Sequence, residues 1–68
     1  MTDTELLKAA IRRSGVKLNV LCTNAGMTYA TLRSKIANHS DFTATEINAI
    51  SDTLHLTQDE IFSIFFAH

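Results

Sequence analysis

The sequence predicts an all-α fold, a compact bundle of about five short helices. Three observations carry this. Proline is absent and glycine occurs only at Gly15 and Gly26, so little interrupts a helical chain. Apolar residues recur at three- and four-residue spacing, and no stretch sustains the alternation of a half-buried strand. Thr2 with Glu5, Thr43 with Glu46 and Thr57 with Glu60 each fit a capping box. In that pattern the threonine hydroxyl and the glutamate carboxylate satisfy backbone amides that have no partner inside the helix.

The first helix is expected from about Thr4 to Ser14, with Leu6, Leu7, Ala10 and Ile11 on one face and Gly15 as its left-handed stop. A second runs from about Leu18 to Ala25, with Leu18, Leu21, Cys22 and Ala25 inward and Gly26 beyond its end. The third, about Tyr29 to Asn38, sets Leu32 and Ile36 one turn apart. The fourth, about Ala44 to Leu54, repeats Ile47, Ile50 and Leu54. The fifth, about Gln58 to Ala67, carries Ile61, Phe62, Ile64, Phe65 and Phe66. These segments use up residues 1–68 as a single domain, with no linker or repeat between them.

A chain of 68 residues buries roughly 60% of its unfolded surface, which sets an expected stability of about 3–5 kcal/mol. The hydrophobic fraction of 46% suffices for one core. No apolar run reaches the length of a membrane span, and the N-terminus lacks the basic and apolar regions of a signal peptide. Cys22 is the one cysteine and has no disulfide partner within the chain, so the cytoplasm is the expected compartment.

The net charge of −1 hides a segregation. Residues 1–38 hold all six basic side chains (Lys8, Arg12, Arg13, Lys17, Arg33 and Lys35) against Asp3 and Glu5, a balance of +4. Residues 39–68 hold five carboxylates and neither lysine nor arginine, a balance of −5. This distribution predicts an electropositive face at one end of the domain, suited to phosphates.

The run from Leu21 to Leu32 has the form of a helix-turn-helix, two helices joined by a short turn that lets the second lie in the major groove of DNA. Cys22 supplies a small side chain where the helices come close. Gly26 takes the positive φ that reverses the chain. Met27 fills the space between the helices, Thr28 caps the second one, and Leu32 anchors it to the core.

With these residues the run resembles the helix-turn-helix of phage repressor and Cro-like regulators. Leu32 to Ile36, Phe42 to Ile47, Leu54 to Thr57 and Ile61 to Phe66 extend the likeness to small repressor-type proteins of phages and mobile elements of Gram-positive bacteria. The resemblance implies a lambda repressor-like domain that occupies an operator in double-stranded DNA. Cys22 stands where such proteins usually carry alanine. Leu18 stands where they often carry a polar group that touches phosphate, a role for which Lys17 beside it is placed. The resemblance further implies that positions matching Thr28, Tyr29, Ala30, Thr31, Arg33 and Ser34 meet bases and nearby phosphates.

Within that frame Arg33 is the expected direct reader, since a guanidinium bonds bidentately to guanine O6 and N7. Ala30 suits a thymine methyl, and the Tyr29 hydroxyl suits a phosphate or a base. Lys17, Lys35, Arg12 and Arg13 are expected on phosphates, where they set affinity and register without reading sequence. Thr28 is followed three residues later by Thr31 rather than glutamate, which leaves the positive end of the helix dipole open to an anion.

No catalytic constellation, cofactor fingerprint or metal-ligand spacing is found. The imidazoles are His39, His55 and His68, and Asp52 with His55 lacks a third ligand at a suitable distance. Register points Cys22 inward as an inert thiol. The aromatic last helix is expected to contact a partner through Phe62, Phe65 and Phe66. That partner is a second copy of the chain, as a palindromic operator requires, or a second regulatory protein, as in an antirepressor or antitoxin.

Overall fold

Where a helix begins, its first amides need acceptors from outside the helix, and most starts in this chain carry one. In the computed structural model, which describes residues 1–67, the helices are α1 Thr4–Ser14, α2 Leu18–Ala25, α3 Tyr29–Ile36, α4 Ala44–Leu54 and α5 Gln58–Phe65. Thr43 and Thr57 form full capping boxes with Glu46 and Glu60, and Thr28 accepts from the Thr31 amide. The start of α2, at Lys17, has no side-chain cap. The expected box at Thr2 and Glu5 is replaced by Asp3, whose carboxylate accepts from the Leu6 N–H at 3.0 Å.

Thr2 is engaged elsewhere. The Asn38 amide pairs with its backbone, Oδ1 accepting from the Thr2 N–H at 2.9 Å and Nδ2 donating to the Thr2 carbonyl at 2.6 Å. The Thr4 hydroxyl donates to the Ile36 carbonyl, and the Asp3 N–H donates to the Ile64 carbonyl at 2.7 Å. The first residues are thereby tied to the ends of both α3 and α5. The same Asn38 ends α3 two residues earlier than the periodicity suggests, because it adopts φ 66° while the His39 N–H reaches back to the Ser34 carbonyl. Helix α5 likewise stops at Phe65, short of Ala67.

Every helix contributes to one core. Leu7, Leu21, Leu32 and Ile50, from α1 to α4, are excluded from solvent, and Ile64 and Phe65 of α5 join them. Phe42, in the connection before α4, meets Phe65 edge to face, with ring centroids 5.6 Å apart. Helix α2 lies chiefly against α4, while α1 touches α3, α4 and α5. Leu6, expected to share the inward face of α1, is exposed instead. The radius of gyration, 10.5 Å, is close to the roughly 11 Å of a globule this long.

Candidate nucleic-acid interface

The α2–α3 corner follows from a few backbone bonds. Gly26 sits at φ +69°, its N–H directed to the Thr23 carbonyl, and the Met27 N–H bonds the Cys22 carbonyl at 3.0 Å. A side chain at position 26 would meet open space, so the glycine serves the dihedral angle alone. Two residues later the Thr28 hydroxyl caps α3 and also donates to the Thr31 hydroxyl at 3.0 Å. Cys22 is buried at the inner side of the corner as a free thiol, and half-buried Met27 lies against the core.

Leu32 and Ile36 hold α3 to the core, which turns its other face outward. Tyr29, Ala30 and Arg33 are exposed there, with Ser34 and Thr31 half-buried at its margins. The Arg33 guanidinium lies over the Tyr29 ring, 5.7 Å from its centroid, a cation–π contact that holds both side chains along one edge of the helix. No carboxylate lies in the first turn of α3, whereas α1, α4 and α5 each carry at least one there.

The basic half of the chain does not present all its charge. Lys35 makes a 2.6 Å ion pair with Glu46 of α4, and its side chain is only 13% exposed. Burial alone would push the Glu46 carboxyl up. The Lys35 ammonium and the Thr43 N–H outweigh that and hold it below the ordinary glutamate value. This corrects the expectation for Lys35: its ammonium fastens α3 to α4 rather than facing phosphate. Arg13 is likewise paired with Glu60 of α5 at 2.6 Å, although it remains well exposed. Glu60 is also held low, first by the Thr57 N–H and then, against some desolvation, by Arg13.

Lys8, Arg12, Lys17 and Arg33 are exposed, and none forms an ion pair within 4.0 Å among the described residues. Lys17 stands at the start of α2. Lys8, Arg12 and Arg33 line one groove of about 440 Å³ between α1 and α3, with Ile11, Leu18 and Tyr29 among its other walls. Lys8 was not a sequence-level candidate. Its signal was the four-residue spacing from Arg12, which places both cations on one side of α1.

On α5 the expected aromatic contact divides. Phe62 and Phe66 are 59% and 58% exposed, but Phe65 is 5% exposed and completes the core against Phe42. Phe65 is therefore corrected from a partner contact to a core residue, since α5 closes the bundle with Ile64 and Phe65 together. Among the described residues no three His, Cys, Asp or Glu side chains converge as a metal site would require, and His68 lies outside those residues. Among the described residues no helix is long and apolar enough to cross a membrane. Compared with protein-family models, with curated proteins and with solved structures, the chain matches none.

Proposed function

We propose that the chain is a sequence-specific, DNA-binding transcriptional regulator that lays α3 in the major groove of an operator. The observation that carries this reading is the outward face of α3, free of carboxylates, which bears Arg33 and is flanked across the α1–α3 groove by exposed Lys8 and Arg12, all three without ion pairs among the described residues. Tyr29, Ala30, Arg33 and Ser34 face the bases and their flanking phosphates, while Thr28 and Lys17 hold the backbone. The repressor-like character rests on the sequence resemblance. Occupying the operator is then the simplest mode of action.

The test is selection from a random duplex library followed by binding titrations at several salt concentrations. The wild-type protein should enrich one sequence, and its affinity should fall steeply with salt. Ala30→Glu, which puts a carboxylate at the centre of the exposed face, should abolish binding while leaving the helical circular dichroism intact. A wild-type protein that retains no duplex, or an Ala30→Glu variant that binds as well as wild type, overturns the reading.

A second reading is favoured by exposed Phe62 and Phe66: a protein-interaction module of the antirepressor or antitoxin kind, acting through α5. The same two rings would serve a second copy of the chain in an operator-bound dimer. Phe62→Ser with Phe66→Ser should lower duplex affinity if they hold such a dimer and leave it unchanged if they serve another protein. Sedimentation of both forms reports the oligomeric state directly.

A further inference from the structure

We propose that the α1–α3 groove is a phosphate clamp that grips one strand of the duplex, and that Arg33 belongs to this clamp rather than to base reading. The inference rests on the DNA-binding reading and assigns the groove's ligand as a phosphodiester. The groove of about 440 Å³ is lined by Lys8, Arg12 and Arg33, and no carboxylate lines it. Its remaining walls, Ile11, Leu18, Tyr29, Ile36 and Ala37, are largely apolar and suit the sugar edge of a nucleotide strand. Three uncompensated cations around one apolar trough specify an anionic chain more than a base edge, which calls for a small set of directed donors and acceptors.

The placement of Arg33 follows from its neighbours. Residues 29 and 33 are one helical turn apart, the guanidinium lies over the Tyr29 ring, and both residues line the groove together with Lys8 and Arg12 of α1. Ala30 and Ser34 lie around the helix from that edge. Arg33 therefore contributes to affinity and register, and discrimination between base pairs passes to Ala30 and Ser34. Arg13 is excluded from the clamp because it lines a different groove, between α1 and α5, and is paired with Glu60.

The experiment measures binding of the selected duplex and of a scrambled duplex across a salt series, for wild type, Lys8→Ala, Arg12→Ala, Arg33→Ala and, as control, Arg13→Ala. Thermal melts monitored by circular dichroism confirm that each variant folds. Each clamp variant should lower the slope of log affinity against log salt by about 0.9, the signature of one lost phosphate contact. Each should also weaken both duplexes by the same factor, so that the preference between them is unchanged. Arg13→Ala should leave the slope as in wild type.

An Arg33→Ala variant that keeps the wild-type slope but loses preference at one base pair overturns the assignment of Arg33. Unchanged slopes for Lys8→Ala and Arg12→Ala overturn the clamp. Titration with inorganic phosphate, followed by amide shifts at residues 8, 12 and 33, separates the two sources of the ligand. Saturation by phosphate below millimolar concentration, without competition from duplex, points to a free phosphate compound and overturns the strand assignment. A wild-type protein that binds neither duplex removes the DNA-binding reading itself, and this inference with it.

Discussion

Asn38 joins two separate requirements in one side chain. Its backbone takes the left-handed conformation that ends α3, and its amide pairs with the buried backbone of Thr2, 36 residues away. Replacement by alanine keeps the unfavourable φ and removes the side chain's hydrogen bonds to Thr2 and Thr4, for an expected loss of about 2–3 kcal/mol by thermal or urea unfolding. Asn38→Gly restores the dihedral freedom but not the bonds, so it should recover only part of that loss. His55 shows the complementary case. It sits at φ 55° at the end of α4, is exposed, and among the described residues makes no side-chain bond that would compensate the strain. His55→Gly is expected to raise stability by about 0.5 kcal/mol, the strain relieved less the entropy that glycine loses on folding. Gly26→Ala should do the reverse and cost about 1 kcal/mol, through the backbone alone, since open space surrounds the position.

The elements are held in place by charge as well as by apolar contact. Lys35 and Glu46 bind α3 to the start of α4, and Glu46 also accepts from the Thr43 N–H in the capping box. Both Glu46 and Glu60 titrate below the ordinary glutamate value of 4.5 in the folded protein. A carboxyl whose pKa is lowered by folding adds stability above its unfolded value, and that stability is lost as pH falls through the folded value. Melting temperature should therefore be flat near neutrality and drop below about pH 4.5. Glu46→Gln keeps an oxygen for the cap but leaves Lys35 without its counter-charge. It should cost about 2 kcal/mol at pH 7 and show a shallower acid dependence than wild type. The aromatic residues of α5 differ by position within a single turn. Phe65→Ala removes a buried ring and should cost about 3–5 kcal/mol, enough to unfold a domain of this size at room temperature. Phe62→Ala should leave monomer stability within about 0.5 kcal/mol of wild type.

At the scale of the whole molecule, folding consumes part of the charge segregation. Two of the six cations in residues 1–38 are neutralised by carboxylates of α4 and α5, and the positive surface is narrower than the sequence suggests. What determines the elements is local, and it was legible in the chain. The spacing of Leu7, Leu21, Leu32 and Ile50, the caps at Thr28, Thr43 and Thr57, and the glycines at 15 and 26 act over a few residues. They set the starts of α3, α4 and α5, the ends of α1 and α2, and the sharp α2–α3 corner. The ends of α3 and α5 were less legible, because Asn38 pairs with Thr2 and the Ile64 carbonyl accepts from the Asp3 N–H, bonds that lie across the fold.

The candidate site divides in the same way. That Tyr29, Ala30 and Arg33 share an outward face follows from helical periodicity once Leu32 and Ile36 are inward, so the sequence by itself determined it. Which charges remain available, and which aromatic ring lies inside, depended on how the helices meet. Lys35 finds Glu46 across 11 residues, Arg13 finds Glu60 across 47, and Phe65 finds Phe42 in a loop with no helical period. Lys8 joins Arg33 only because α1 crosses beside α3. Local propensities act within a turn or two, whereas ion pairing and burial are decided by distances in space, and only the tertiary structure sets those.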